Sequence, residues 1–416
     1  MPLAAAMPSR IALYSPGMVG LGHIRRNLVV AQALAAGHPA PAILLIAEAR
    51  EAGALPMPDG VDCVTLPALQ KHADGVSTPR HLGLPLGSVV TVRSRIIDAA
   101  LDAFEPDLVI VDHLPLGAHG ELRPALERLR AGGRTRCVLG LRDILDSPDV
   151  VRDEWLNRGY DDAVEEHYDA VWVYGDPAVF DATREYDLPP QVTAKLRFAG
   201  YLDTRARLRC RGVDGDRLWA SLGLPPGRLA LCLVGGGVDG DQVAMAFVRA
   251  DLPAGAHGVI VAGPFMPAGV RRRLHEASCL HGRMRVVDFV SEPVVLVRHA
   301  DWIVTMGGYN SVCDALAFEK RALVVPRQSP RCEQRIRAER LQALGLVDTL
   351  APGAATPAAI AAWLAGESAA GASRPFIDMN ALARLPRFVA DVFDDAGAGA
   401  LAYASSLPAP EQHAQV

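Results

Sequence analysis

Lysine is almost absent from this chain of 416 residues and occurs only at positions 71, 195 and 320. No glycine-rich loop is therefore followed by the Lys-Ser or Lys-Thr pair of a P-loop, which disfavours ATP chemistry. The formal net charge is −5 and no long basic stripe is present, so nucleic acid is not an expected partner. No run approaches the ~18 apolar residues of a membrane helix, so no integral membrane segment is expected. Peripheral contact with a membrane is left open.

Cysteine occurs seven times, but no two cysteines form a C-x-x-C pair. The spacing that metal ligands require is also missing, so neither a metal nor a cofactor is expected. The thiols are interpreted as free and buried in a reducing cytosol, which favours a cytoplasmic protein. Any peripheral contact would then be with the inner face of the membrane. The first nine residues lack the basic and apolar regions of a signal peptide and are interpreted as a disordered leader.

Strands and helices alternate along almost the whole sequence, which predicts an α/β architecture of parallel sheets built from βαβ units. A chain of this length favours two domains. The stretch 204–227 is rich in Arg, Gly and Pro and is interpreted as a linker leading into the second domain. Ligands of parallel sheets bind outside the carboxyl ends of the strands. Function is therefore expected in a cleft between the two domains.

The predicted boundaries divide the chain into five parts. They are the leader at 1–9, an N-terminal Rossmann-like domain at 10–212, a C-terminal domain at 213–365, a helical segment at 366–395 and a disordered tail at 396–416. Packing of the helical segment back onto the N-terminal domain is one option. The region 68–87 has no clear period, and such a long loop is expected to line a binding pocket.

The first predicted strand, 10–15, is followed by the glycine-rich loop SPGMVGLGHIRR at 15–26. Its glycines allow tight turns and close approach of a ligand to the backbone. His23 is predicted at the start of the following helix, at the sheet edge. A histidine is suited to act as a general base because its ordinary pKa lies near neutrality.

A carboxylate that orients the other ring nitrogen would make His23 a better base. The predicted strand 107–112 ends in Asp112, followed by His113, and the strand 136–141 is followed by Arg142 and Asp143. Asp112 is the preferred partner of His23 and Asp143 is the alternative. The sequence does not give the distance that decides between them.

Helix starts rich in small residues follow two strands of the second half. Gly235-Gly236-Gly237 follows the apolar strand 229–234, and Gly308 to Ser311 follows the strand 301–305. Free backbone N–H groups and the helix dipole at such positions suit an anion such as a phosphate. The strand 322–325 precedes a helix that begins with Glu333-Gln334, side chains suited to sugar hydroxyls. A nucleotide-sugar site is therefore predicted.

These motifs carry a resemblance to a known family. The segment GYNSVCD at 308–314, Pro326, Glu333-Gln334, Ala338 and the glycines upstream resemble GT-B glycosyltransferases, and the C-terminal half is similar to the peptidoglycan N-acetylglucosaminyltransferase that makes lipid II. The loop GLGHIRR at 20–26 and the run PRQSPRCEQ at 326–334 are similar to a bacterial group of predicted glycosyltransferases. The resemblance runs from about residue 10 to 350. It implies a GT-B fold, with two Rossmann-like parallel-sheet domains facing each other across a cleft.

The resemblance also implies roles for individual residues on the donor side. It places the diphosphate among Gly236, Gly237, Gly308 and Ser311, the base beside Phe289 and Val290, the ribose at Asp314, and the donor sugar at Glu333 and Gln334. Asp314 stands where the family typically has the longer Glu. No bound metal is implied. On the acceptor side we assign Gly22, Arg26, Arg142 and Asp143, beside the catalytic pair His23 and Asp112.

Three functions agree with this pattern. The first is inverting transfer of a sugar, without metal, from a nucleotide diphosphate-sugar, expected to be UDP-linked, to a hydroxyl of a small-molecule or lipid-linked acceptor. The second is hydrolysis of a nucleotide sugar, since the G-x-G-H loop also resembles that of UDP-sugar hydrolases in nonulosonic acid biosynthesis. The third is a non-catalytic nucleotide-sugar sensor. The hexosyltransferase activity is preferred, with His23 as general base.

Overall fold

The computed structural model describes residues 8–17, 21–48, 55–72, 76–211, 213–327, 329, 331–366 and 376–404. Residues 1–7 of the expected leader and 405–416 of the expected tail lie outside these ranges. Ser9 is the last residue assigned to the leader, and its backbone N–H and hydroxyl both donate to Asp107 Oδ2, at 2.7 and 2.9 Å. Within the described ranges, no helix has the length and apolar character needed to cross a bilayer.

The first sheet has seven parallel strands in the order β3-β2-β1-β6-β7-β8-β9. Its inner strands are apolar on both faces because helices cover both sides of a parallel sheet. The strands of this sheet are β1 Arg10–Ser15, β2 Ala42–Ala47, β3 Val61–Thr65, β6 Leu108–Asp112, β7 Arg136–Arg142, β8 Ala170–Tyr174 and β9 Leu196–Phe198.

The second sheet has six parallel strands in the order β12-β11-β10-β13-β14-β15. Its strands are β10 Arg228–Leu233, β11 Ala256–Val261, β12 Met284–Val287, β13 Trp302–Thr305, β14 Arg321–Val324 and β15 Asp348–Thr349. The α/β class and the two parallel sheets predicted from the alternation of strands and helices are confirmed.

Helices cover the faces of both sheets. They are α1 Gly22–Ala35, α2 Leu86–Phe104, α3 Arg123–Gly132, α4 Pro148–Arg158, α5 Tyr160–His167, α6 Ala182–Glu185, α7 Pro190–Lys195, α8 Gly215–Ser221, α9 Asp241–Val248, α10 Ala268–His281, α11 Val294–His299, α12 Tyr309–Ala317, α13 Glu333–Ala343, α14 Pro357–Ala365 and α15 Ala381–Ala404, with short 3-10 helices at Thr204–Arg209 and Pro352–Ala354.

The region 68–87 contains a small antiparallel hairpin instead of an irregular loop. Strands β4 Leu69–Lys71 and β5 Ser77–Pro79 pair with each other outside the main sheet. Three-residue strands are too short to show a two-residue period, so the hydrophobic pattern of the sequence does not predict them. Part of the region that was expected to be a loop is therefore a hairpin beside the first sheet.

The C-terminal helix α15 packs on the N-terminal domain. The rings of Phe388 and Trp172 lie 5.9 Å apart, and Arg384 donates to the carbonyl of Ala199 at 2.7 Å. The helix continues to Ala404, so residues 396–404, assigned to the disordered tail, are helical. The helix carries Ala at most positions of that stretch, a residue with high helix propensity.

In both sheets the chain builds strands first to one side of the first strand and then to the other, so each sheet has a topological switch point at its first strand. In the first sheet β1 lies between β2 and β6, and in the second β10 lies between β11 and β13. Such a switch point opens a crevice at the carboxyl ends of the strands, where ligands bind. The glycine-rich loop after β1 and the glycines after β10 both lie at these points.

Candidate functional site

A single large cleft joins the two switch points. Its volume is about 1050 Å³, and residues from both domains line it. That size is at the upper end of what pockets for small ligands reach. Of the site residues predicted from the sequence, all but Gly237, Asp112 and Asp143 line it. Residues 18–20 of the glycine-rich loop lie outside the described residues.

His23 is held by a carboxylate at the N-terminal side of the cleft. Helix α1 begins at Gly22, which brings His23 into its first turn, and Asp112 ends the neighbouring strand β6. The His23 Nδ1 lies 2.7 Å from Asp112 Oδ2. The side chain of His23 is 20% exposed, whereas that of Asp112 is 1% exposed. The ring therefore reaches the cleft while its partner stays behind it.

Arg26 holds the carboxylate of Asp112 in place. Its guanidinium donates to both oxygens of Asp112, at 2.6 and 2.8 Å from Nη2. Helical spacing explains the contact, because residues three apart lie on one face of α1, so His23 and Arg26 reach the same carboxylate. The side chain of Arg26 is buried. Arg26 also lines the cleft, so its assignment to the acceptor side stays a prediction.

The charges of this group set the proton positions. Burial alone would raise the pKa of Asp112, but Arg26 and His23 outweigh it and hold that pKa below its usual value. Burial lowers the pKa of His23 below 6.5, although Asp112 opposes the shift. His23 is thus neutral at pH 7. An ionised carboxylate only accepts hydrogen bonds, so Nδ1 carries the proton and Nε2 keeps its lone pair, the form that a general base needs.

His113 adds a second imidazole beside the first. Its ring centroid lies 5.3 Å from that of His23. Its backbone has a φ of +71°, a left-handed value that is uncommon for a residue with a side chain. Burial lowers the pKa of His113 well below 6.5, and the charge of Arg142 adds to the effect. This neutral histidine lines the cleft, and its buried Nδ1 has no hydrogen-bond partner among the described residues.

Asp143 does not face the cleft. Its Oδ1 accepts from Arg337 Nη2 at 2.6 Å and its Oδ2 accepts from Tyr201 at 2.8 Å. Both carboxylate oxygens are thus used inside the protein, and the residue is buried. Asp143 is therefore neither the partner of His23 nor available to an acceptor; the preceding Arg142 does line the cleft.

The glycines after β10 form a tight turn on the C-terminal side. Gly237 has a φ of +88°, and a Cβ there would lie 2.2 Å from the carbonyl oxygen of Ala262. Only glycine fits this backbone. Gly235 and Gly236 line the cleft, whereas Gly237 shapes the turn from behind. The turn exposes backbone to the cleft at the switch point of the second sheet.

Helix α12 begins at the same end of the sheet. Gly308 precedes its first residue, and Gly307 before it has a φ of +81°. Ser311 in the first turn accepts a hydrogen bond from Thr305 at 2.9 Å and donates to the carbonyl of Gly308 at 3.0 Å. The first backbone N–H groups of a helix have no partner within the helix, so this end of α12 suits an anion.

Asp314 lies one turn further along α12, where the two domains meet. Burial raises its pKa to about 7, the neighbouring Thr204 opposes the shift, and Glu292 adds to it. Arg25 from α1 reaches the same place and donates to the carbonyl of Val290 at 2.6 Å. Val290 is buried beside Phe289. Its carbonyl oxygen already accepts the hydrogen bond from Arg25.

Glu333 and Gln334 begin helix α13 and are both buried. Glu333 Oε1 accepts from Arg327 at 2.7 Å, while its Oε2 has no partner among the described residues. Gln334 Oε1 accepts from the backbone N–H of Arg327 at 3.1 Å. Burial would raise the pKa of Glu333, but Arg142 and Arg327 outweigh it and keep the pKa low. Glu333 lines the cleft, and one oxygen of its ionised carboxylate has no partner in the described part of the chain.

Several cleft residues were not assigned from the sequence. They are Arg25, Thr204 and Glu292 around Asp314, and His113 beside His23. His113 follows Asp112 directly, so its position at the sheet edge could be predicted from the sequence. Its contact with His23 could not be predicted. Around Asp314, Arg25 comes from the other domain and Thr204 from the linker, and no local pattern in the sequence shows such contacts.

No protein-family model matches the chain, and no curated protein is similar to it in sequence. Solved structures match it over nearly its whole length. A glycosyltransferase from Streptomyces nogalater is 17% identical, with 94% of this chain and 99% of that chain covered and a TM-score of 0.56. The spinosyn rhamnosyltransferase is also 17% identical, with 94% and 100% covered and a TM-score of 0.57. The UDP-GlcNAc 2-epimerase from Neisseria meningitidis, solved with UDP-GlcNAc bound, is 12% identical, with 93% and 99% covered and a TM-score of 0.59.

The chain has the GT-B fold. At these identities the likeness establishes the architecture only. The structures similar to this chain include both transferases and epimerases. The fold alone therefore does not identify the activity, which depends on the residues of the site.

Proposed function

We propose that this protein is a glycosyltransferase that moves a sugar, with inversion, from a nucleotide diphosphate-sugar to an acceptor hydroxyl. The observation that supports this most directly is the pair His23–Asp112, 2.7 Å apart, at one side of the cleft. A neutral imidazole with an unprotonated Nε2 is the group that such a reaction requires as a base. The glycine turn and the start of α12 face the same cleft from the other domain.

The donor is proposed to bind the C-terminal domain. Backbone N–H groups at Gly236, Gly308 and Ser311 would hold the diphosphate, with the dipole of α12 adding to the attraction. The open carboxylate of Glu333, with Gln334, would bind the sugar hydroxyls. The ribose would lie at Asp314 and the base beside Phe289. A UDP-linked hexose is the proposed donor, and no metal or other cofactor is included in this mechanism.

The chemical step follows from the position of His23. The acceptor hydroxyl attacks the anomeric carbon while Nε2 of His23 takes its proton. The new C–O bond forms as the bond from the anomeric carbon to the phosphate oxygen breaks, and the nucleoside diphosphate leaves with the electron pair. Asp112 stabilises the imidazolium that results. Helix and backbone N–H groups stabilise the negative charge on the departing diphosphate.

A screen of nucleotide sugars tests the proposal. The protein is incubated with UDP-, GDP- and TDP-linked sugars, with and without a mixture of small-molecule and lipid-linked alcohols, and the free nucleoside diphosphate is measured. Consumption of a donor that depends on the added alcohol supports transfer. Binding without consumption in either case indicates a sensor, and absence of both binding and consumption overturns the donor site.

A second activity, hydrolysis or related chemistry on a nucleotide sugar, is favoured by one observation. Two neutral histidines, His23 and His113, face the cleft together, and a similar fold occurs in an epimerase that binds UDP-GlcNAc. In hydrolysis, water would replace the acceptor hydroxyl and His23 would take its proton. Release of free sugar at the same rate with and without acceptor would establish this alternative over transfer.

A further inference from the structure

The arginines of the cleft differ in how their charges are satisfied. Arg26 pairs with Asp112, Arg207 with Glu292, Arg327 with Asp239 and Glu333, and Arg331 with Glu154. Arg25 donates to two carbonyls and has Glu292 and Asp314 as the nearest opposite charges. Arg158 pairs with Glu154. Among the described residues, Arg142 is the cleft arginine that has neither an ion pair nor more than one hydrogen bond.

Arg142 ends strand β7 and reaches into the cleft with an unsatisfied guanidinium. Its Nη2 donates to the carbonyl of Leu145 at 2.8 Å, and its buried Nε has no partner among the described residues. No carboxylate oxygen of the described residues lies within 4.0 Å of it. The side chain is half-buried, with its Nε out of reach of solvent. A cation held this way without a counter-charge is costly, and an anionic ligand would supply the missing charge.

The surrounding charges make an anion still more favourable at this place. Burial lowers the pKa of Arg142 to about 10; Glu333 opposes the shift, and Arg337, Arg26 and Arg331 add to it. Three like charges therefore act on a guanidinium that has one acidic neighbour across the cleft. An incoming carboxylate or phosphate would relieve this repulsion.

The position of Arg142 places it on the acceptor side, next to the base. Strands β6 and β7 are neighbours, with Asp112 paired to Gly140 in register, so their ends lie side by side. Adjacent strands are about 4.8 Å apart. The charge of Arg142 also contributes to the lowered pKa of both His23 and His113. One small molecule can therefore span Arg142 and the imidazole of His23.

The wall beyond Arg142 is polar. Helix α4 presents Val150, Glu154 and Arg158 to the cleft at a spacing of four residues, which puts them on one face. Among the described residues of the first sheet and its helices that line the cleft, none is Phe, Tyr or Trp. A flat aromatic acceptor would find no side chain to stack on along this wall. A charged, hydroxyl-rich acceptor would find polar side chains to bind.

We propose that Arg142 binds an anionic group, a carboxylate or a phosphate, carried by the acceptor close to the hydroxyl that His23 deprotonates. The inference rests on the transfer reaction proposed above and names its acceptor class. The substrate would be an acidic sugar or a sugar phosphate, and Arg142 would both select it and orient its hydroxyl towards Nε2. The planar guanidinium can offer two parallel donors to either anion.

Three acceptors that share one sugar ring test this proposal. Glucose, glucuronate and glucose 6-phosphate are compared with a fixed donor, using the native protein, Arg142→Gln, Arg142→Lys and the control Arg272→Gln. Arg272 lies on α10, outside the residues that line the cleft, and its side chain is 75% exposed. We expect kcat/KM to favour at least one anionic acceptor over glucose by about 10–100-fold, the ratio that a charged hydrogen bond provides. Glucuronate and glucose 6-phosphate then distinguish a carboxylate from a phosphate.

Arg142→Gln should remove this preference, Arg142→Lys should keep part of it, and Arg272→Gln should leave it intact. A preference that survives in Arg142→Gln overturns the proposal, as does equal use of all three acceptors by the native protein. The dissociation constant for the donor should stay within about 2-fold in all variants. If it rises selectively in Arg142→Gln, the guanidinium serves the donor diphosphate instead.

A binding measurement decides the matter even if none of the three molecules accepts sugar. Calorimetry follows glucuronate and inorganic phosphate binding to the native protein saturated with UDP. Binding that persists with UDP and is lost in Arg142→Gln supports an acceptor site, while binding that UDP abolishes, or no binding, contradicts it. The proposed transfer fails separately, when no nucleotide sugar is bound or consumed.

Discussion

Asp143 and Arg337 form a two-pronged ion pair that joins the domains through the protein interior. Arg337 Nη2 lies 2.6 Å from Asp143 Oδ1, and its Nε lies 2.8 Å from Oδ2. Each side chain is 1% exposed. A third donor of the same guanidinium reaches the carbonyl of Gly307 at 2.8 Å. The pair thus links the end of β7 to the backbone that precedes α12.

Replacing one member of this pair should destabilise the protein strongly. Asp143→Asn leaves the buried guanidinium of Arg337 without its counter-charge, and such losses cost about 3–5 kcal/mol. Chemical denaturation gives the free energy of unfolding. The double variant Asp143→Leu, Arg337→Met should cost less than the sum of the two single changes, because no unpaired charge remains.

The exposed pair Arg335–Glu339 on α13 provides the control. Its members are 47% and 58% exposed, and Glu339→Gln should change the free energy of unfolding by about 1 kcal/mol or less. Equal effects of Asp143→Asn and Glu339→Gln would show that the interdomain pair contributes little.

Removing the proposed base should affect rate and not donor binding. His23→Ala should lower kcat by about 10²–10⁴-fold, the range for loss of a general base, with the donor dissociation constant nearly unchanged. Steady-state kinetics and calorimetry measure the two effects. His275→Ala, at an exposed position on α10, is the matched control and should do neither. Loss of donor affinity in His23→Ala would assign the imidazole to the donor site.

The rate should depend on pH through the protonation of His23. Burial lowers its pKa below 6.5, with Asp112 opposing, so the base form is complete at neutral pH. We expect kcat/KM to be level from about pH 7 to 8 and to fall as the pH drops through the lowered pKa. A pH–rate profile that still rises tenfold per unit above pH 7 would exclude this imidazole as the base.

Asp314 should make both stability and donor affinity sensitive to pH. Burial raises its pKa to about 7, against Thr204 and with Glu292 adding to it. Between pH 4 and 7 the folded state holds a proton that the unfolded chain releases, so stability falls as the pH rises through this window. Asp314→Asn should therefore melt at a higher temperature than the native protein at pH 8, with a smaller difference at pH 5.

The same carboxyl group should tighten donor binding as it ionises. If it accepts hydrogen bonds from the ribose, the affinity for UDP should increase as the pH rises through about 7, and Asp314→Asn should lose this dependence. Calorimetry at pH 6 and 8 measures it, with the exposed Asp251→Asn as control. A dependence that persists in Asp314→Asn would place the titrating group elsewhere.

The fold was predictable because its signal is local. Apolar strands followed by amphipathic helices indicate a parallel α/β architecture. The strand 10–15 was predicted with the bounds that the structure has, and the predicted strand 301–305 differs from the structure by one residue. A local signal is weaker at helix boundaries, as between α4 and α5: Gly159 separates them with a φ of +62°, and a periodic pattern does not reveal one such residue.

The site was predictable where chain direction places residues at a sheet edge, and not where the domains meet. His23 and Asp112 follow adjacent strands, so their proximity follows from topology. Asp143 also follows a strand, but its side chain turns into the interior towards Arg337, 194 residues away. No rule based on residue spacing predicts a contact between residues so far apart in the sequence. Contacts between domains are set by how the two sheets dock, which sequence patterns do not encode.

Helix α15 returns the end of the described chain to the domain in which it began. The polypeptide leaves the first sheet after β9, builds the second sheet and then comes back, so the C-terminal domain is topologically an insertion. A fragment that ends at residue 212 would lack α15 and therefore the ring of Phe388 that packs against Trp172. Separate expression of this domain should therefore retain residues 376–404, joined through a short bridge in place of the insertion.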